Sequence, residues 1–157
     1  MRIGVLTSSR ADFGIYLPLI KALDSDEHFN LSLIVFGAHL SKEHGYTITE
    51  ILEMGFSKIQ KLCPLEFEDS PAEIGKSIGH ITSHFASYWE NHKEVYDVVF
   101  CLGDRFEMFA AVVAGVPFGI RFAHIHGGET TLGAIDNVFR HSITLYSTIH
   151  FTSTENY

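Results

Sequence analysis

Three short stretches of this 157-residue chain carry side chains that can do chemistry. In His124-Ile125-His126-Gly127-Gly128-Glu129, two imidazoles and a carboxylate flank glycines that let the backbone turn sharply or approach a ligand. Alternation along a strand places His124 and His126 on one face. The set suits acid–base work or phosphate binding, and equally a divalent metal held by His124, His126, Glu129 and Asp104. Gly103-Asp104-Arg105 sets a carboxylate directly after an apolar run, where Asp104 can cap a helix, act in catalysis, or do both. Asp136 and Arg140 stand four apart, so they share a helix face and can pair as a solvated salt bridge.

Ser8–Gly14 adds a hydroxyl pair, Arg10 and a glycine, which reads either as a phosphate-cradling loop or as a capped turn with a surface arginine. It is neither GxGxxG nor a P-loop, so dinucleotide and NTP readings find no support. His80 and His84 also stand four apart, on a helix with no other ligand nearby, and read as surface residues rather than a metal site. Cys63 and Cys101 lie in apolar runs and read as reduced, buried thiols of a cytoplasmic protein. The formal net charge of -8 disfavours nucleic acid, which requires clustered Lys and Arg. No apolar stretch approaches the ~20 residues that cross a bilayer.

The elements that must position these groups alternate. Strands are expected at Arg2–Thr7, Asn30–Phe36, Phe56–Leu65, Val98–Leu102, Phe118–Ile125 and His150–Thr152. Helices are expected at Ile15–Leu23, from a capping box Thr47–Glu50 to Gly55, from a second box Ser70–Glu73 to His92, through Ala114, and at Ala134–Tyr146. The apolar stripe Ile74, Ile78, Ile81, Phe85 and Trp89 steps by three and four. Strand–helix alternation specifies an α/β class with a doubly wound parallel sheet, helices covering both faces. Ligands of such sheets bind beyond the carboxyl ends of the strands. Arg10, His39, Asp104, Arg105, His124 and His126 all fall at that edge, whereas the opposite edge carries solvated stretches such as Asp24–His28 and Asn91–Glu94.

Five segments occur in order: Ser9–Gly14, Gly37–Leu40, Gly103–Phe106, His124–Glu129, and Ile135-Asp136 with Arg140–Thr144. Together they resemble the N-terminal domain of hydrolysing UDP-N-acetylglucosamine 2-epimerases of the bacterial sialic-acid and legionaminic-acid type, over essentially the whole chain. The resemblance implies one Rossmann-like half, residues 1–157, of a GT-B-like two-domain fold whose C-terminal UDP-binding domain is absent from this chain. It implies a UDP-2-acetamido sugar as partner and no cofactor. The implied reaction removes the C2 proton as UDP leaves C1, then hydrates the glycal to a free sugar of N-acetylmannosamine type. The isolated chain is expected to be inactive, and self-association as a homodimer through this domain is implied.

By position, Asp104 and Asp136 resemble catalytic carboxylates, and His126 and Glu129 fall in the catalytic segment. Arg10, His39, Arg105, His124 and Arg140 resemble substrate-binding residues; no metal ligand is implied. Many relatives read His-x-Glu-Gly-Gly where this chain has His126 in place of the Glu, and the loop to Asp136 looks one residue longer. Either His126 or Glu129 then takes that acid–base role, and the change points to a modified sugar such as UDP-diacetylbacillosamine. Two other readings remain open: a metal-dependent hydrolase, and a non-catalytic sugar-nucleotide-binding domain.

Overall fold

A computed structural model describes residues 1–65, 70–132 and 135–157. The strands are β1 (Arg2–Thr7), β2 (Asn30–Gly37), β3 (Ile59–Pro64), β4 (Val98–Leu102), β5 (Phe122–Ile125) and β6 (Ile149–Phe151). The helices are α1 (Arg10–Ser25), α2 (Ile48–Glu53), α3 (Pro71–His92), α4 (Phe106–Gly115) and α5 (Asp136–Tyr146). All strand pairs are parallel and the order is β3-β2-β1-β4-β5-β6, so the winding reverses between β1 and β4.

The inner strands β1, β2, β4 and β5 are apolar on both faces because both faces are covered. Ile3, Val5, Leu31, Leu33, Val35, Val98 and Phe100 pack with Phe13, Tyr16 and Ile20 of α1 and Ile48 and Ile51 of α2. The alternate residues Leu6, Ile34, Phe36, Val99 and Cys101 pack with Ile81, Phe85 and Trp89 of α3, the small residues of α4, and Ile143 of α5. Of the stripe read from the sequence, Ile81, Phe85 and Trp89 are buried, Ile78 packs against them half-buried and Ile74 is half-buried; Trp89 also donates Nε1–H to the Ala111 carbonyl at 3.0 Å.

Several boundaries moved, each for a physical reason. Helix α1 begins at Arg10 rather than Ile15, since Ser9 and Asp12 close a capping box that the loop reading missed. The expected box at Thr47 does not form: Thr47 has helical dihedrals, its hydroxyl bonds His39, and Glu50 turns to Arg10. Ser70 does accept from the Glu73 N–H, but the Glu73 carboxylate goes to Lys76. Strand β5 starts at Phe122 rather than Phe118, because Val116–Phe118 form a 3-10 turn and Gly119 is left-handed (φ +68°). Ala134, expected to open the last helix, lies outside the described residues. Cys63 and Cys101 are both buried, and neither is joined in a disulfide.

Candidate active-site edge

At the carboxyl ends of β1 and β2 a buried polar chain is assembled by the first turn of α1. Asp12 accepts from the Ser8 N–H (2.9 Å), the Ser8 hydroxyl (2.9 Å) and the Ser9 N–H (3.1 Å), and the Thr7 hydroxyl donates to its other oxygen. Because the Thr7 hydrogen is committed there, its oxygen accepts from His39 Nε2–H at 3.0 Å. His39 Nδ1 then accepts from the Thr47 hydroxyl at 2.7 Å. Burial lowers the His39 pKa to about 4, matching this neutral tautomer, and burial pushes Asp12 upward against its donors. His39, expected to touch substrate, thus lies behind the surface with both nitrogens engaged. Arg10 is exposed beside Glu50, 3.3 Å away.

A second cluster joins β4, β5 and α5. The guanidinium of buried Arg140 donates to Asp104, to Glu129 at 3.0 Å and to the His126 carbonyl at 3.3 Å. His126 Nδ1 meets the other Glu129 oxygen at 2.7 Å, which together with Arg140 holds the Glu129 pKa below its usual value. The Asp136–Arg140 pairing read from spacing is not made: Arg140 reaches across to the β4 end instead, while Asp136 opens α5 and adds to the negative field at Arg105. Asp104 does not cap α4 either; Arg105 holds the N-cap position, and its side chain pairs with Glu107 at 2.6 Å. A position two residues into α4 makes Glu107 a fully buried carboxylate. The signal for it was a single acid inside an otherwise apolar helix.

The two histidines of the HIH segment are separated. His124, at 0% exposure, meets Gly103 O through Nε2 (2.8 Å) and the Thr144 hydroxyl through Nδ1 (3.1 Å), and burial lowers its pKa to about 4. Strand β5 ends at Ile125, and His126 turns into the left-handed region (φ +61°), so strand alternation does not reach it. Gly127 is required by close approach, since a Cβ there would stand 2.8 Å from His124 Nδ1 and 3.0 Å from Thr144 Oγ1. The metal-hydrolase reading fails on this geometry. His124, His126, Glu129 and Asp104 do not converge their ligand atoms, and the Arg140 guanidinium stands between Asp104 and Glu129 where a cation would sit.

Between the two clusters lies a cleft of about 170 Å³ lined by Ser9, Ala11, Asp12, Ile15, Leu102, Gly103, Asp104 and Arg105. It opens at the β1/β4 reversal, the place where doubly wound sheets bind ligands. The buried polar atoms without a partner among the described residues, Tyr16 Oη and Arg140 Nε, belong to α1 and α5, the helices that carry Asp12 and Asp136.

The fold defines a Rossmann-like domain, of the kind found in one half of GT-B structures. The family model described as UDP-N-acetylglucosamine 2-epimerase matches residues 21–157, and the chain belongs to that family. It is 38% identical over 151 residues to a UDP-N,N'-diacetylbacillosamine 2-epimerase (hydrolyzing) of Legionella pneumophila, covering 96% of this chain and 39% of the relative. A GDP/UDP-N,N'-diacetylbacillosamine 2-epimerase (hydrolyzing) of Campylobacter jejuni is 36% identical over 156 residues, covering 99% and 40%. The UDP-GlcNAc 2-epimerase of Neisseria meningitidis, solved bound to UDP-GlcNAc, superposes with a TM-score of 0.76 at 21% identity, covering 99% of this chain and 41% of that one. The chain therefore spans about two fifths of the length of these relatives.

Proposed function

We propose that this chain supplies the N-terminal wall of a hydrolysing 2-epimerase that acts on a UDP-2-acetamido sugar, the UDP-binding wall coming from a C-terminal domain. The single observation that carries the reading is the ordered row Asp104–Arg140–Glu129–His126 beside the cleft at the β1/β4 reversal. The cleft is smaller than the ~300–1,000 Å³ of a complete small-molecule site, which fits one wall of a shared one.

The reaction breaks the C2–H and C1–O bonds, forms C1=C2 and releases UDP; water then returns a hydroxyl to C1 and a proton to C2 from the other face. It requires groups that take and give protons, and fixed charges that keep them oriented. Glu129 accepts Nδ1–H from His126 and leaves Nε2 as the basic nitrogen, an imidazole oriented by a carboxylate. His126 is accordingly the proton-handling group, at the position where the family resemblance implies a Glu in many relatives, and Glu129 orients it. Asp104 is the second catalytic carboxylate, set by Arg140, and Asp136 a third at the start of α5. Arg105 and the exposed Arg10 face the departing diphosphate, whereas His39 and His124 hold loops in place.

The identities near 38% favour a diacetylated sugar over UDP-N-acetylglucosamine as substrate. The two unbridged thiols suit a reducing, cytoplasmic compartment. Among the described residues no helix is long and apolar enough to cross a membrane. Self-association through this domain is decided by sedimentation of the protein.

The test is UDP release from UDP-N-acetylglucosamine and UDP-diacetylbacillosamine by a protein spanning the relatives' full length. Expected are one solvent deuterium at C2 of the product in D₂O, and a fall in kcat of roughly 100-fold or more for His126→Gln and Asp104→Asn. No UDP release from either sugar sinks the reading. Wild-type kcat in His126→Gln sinks only the assignment of the base.

A further inference from the structure

Helix α3 carries His80 and His84 one turn apart, and the fold brings them the third donor that the sequence did not reveal. Cys63, the penultimate residue of β3, is buried against the α3 side of the sheet with Ile81 and Phe85. Its sulfur and one ring nitrogen from each histidine all lie within 4.8 Å of one another. The two imidazoles, centroids 4.6 Å apart, sit on exposed residues that each precede a buried residue of the stripe, Ile81 or Phe85. They therefore border the buried face of α3, beside the outermost strand of the sheet.

The chemistry of the donors selects the ligand. Calcium and magnesium take oxygen, whereas one thiolate with two imidazoles suits a borderline-soft ion of zinc type. Bond lengths of about 2.3 Å to sulfur and 2.1 Å to nitrogen place tetrahedral donors roughly 3.4–3.6 Å apart. The three donors already lie within 4.8 Å of one another, so a small inward movement of the two exposed imidazoles brings them to that spacing around a buried sulfur. Three protein donors leave a fourth corner for water.

We infer that Cys63, His80 and His84 form a binding site for a thiophilic divalent cation, zinc by its chemistry, which fastens the edge strand β3 to helix α3. The site is independent of the epimerase reading, because it lies three strands away from β4 and uses none of the cleft residues.

Titration of chelator-treated protein with cobalt(II) tests it. One equivalent is expected to bind with a thiolate-to-cobalt charge-transfer band and the intense visible bands of tetrahedral cobalt, and zinc is expected to displace it. Cys63→Ser abolishes the charge-transfer band. His80→Gln and His84→Gln each weaken binding tenfold or more, since even partners outside the coordination shell are worth about 10- to 100-fold. Cys101→Ser and His92→Gln leave the spectrum unchanged. A band that survives Cys63→Ser overturns the inference, and so does cobalt affinity unaffected by Cys63→Ser, which marks a mere two-histidine chelate. If Cys63→Ser does not fold, the exposed pair decides: full affinity in the His80→Gln/His84→Gln double variant overturns the site.

Discussion

His126 holds φ at +61°, a state in which any Cβ crowds the backbone at a cost of about 1–2 kcal/mol. Alanine and glycine at this position both lose the Glu129 contact, but only glycine removes the strain. His126→Gly is therefore expected to be more stable than His126→Ala by about 1 kcal/mol in urea denaturation, the reverse of the usual order. His39 and His124 set the acid response. Their folded pKa values of about 4 lie below the 6.5 of a free imidazole, so the unfolded chain binds more protons between those limits. Stability is complete above pH 6.5 and falls towards pH 4, by roughly 3 kcal/mol per histidine at most. Asp12, with its raised pKa, opposes the fall at the acid end. Denaturation from pH 7 to 4 should show a shallower slope in His39→Gln and His124→Gln; a wild-type slope in both counts against buried neutral imidazoles. At this scale the residue types were legible and the partners were not. Arg140 chose Asp104, 36 positions away, over Asp136 in its own helix, because tertiary packing rather than helical spacing aims a guanidinium.

Helix α4 shows how an element's ends are decided by what it packs against. Gly115 closes it with its missing Cβ facing Phe122, whose ring carbons would stand 2.7 and 2.9 Å from that atom. Gly→Ala in a helix ordinarily stabilises by about 1 kcal/mol, but Gly115→Ala should cost roughly 1–3 kcal/mol because the ring is fully buried. A thermal or urea midpoint that rises would show that Phe122 yields. The strands at Arg2–Thr7 and Val98–Leu102 were legible to the residue, since a strand buried on both faces reads as an apolar run, here Ile3–Leu6 and Val98–Leu102. The start of α1 was not. Ser9-x-x-Asp12 caps a helix as Ser-x-x-Glu does, and the same aspartate also gathers Thr7 and Ser8, so one residue sets both a helix boundary and the floor of the cleft. Pro117 and Gly119 carried the signal that β5 begins late.

Across the whole molecule, protection should follow the strand order. In native-state hydrogen exchange the amides of β1, β2 and β4 should exchange slowest, and those of β3 and β6 fastest, because the edge strands are shorter of neighbours and more exposed. Uniform protection across all six strands would contradict a graded sheet. The reversal between β1 and β4 also has a temporal meaning. Ile3 pairs with Leu31 on one side and with Val98 on the other, so roughly 95 residues separate the partners on the second side. At about 5–20 residues per second on a ribosome, the β4 side of β1 waits on the order of 5–20 s for its neighbour. During synthesis the molecule is thus a half-sheet with a bare apolar seam. The cleft, whose two lips come from opposite sides of that seam, cannot exist until it closes.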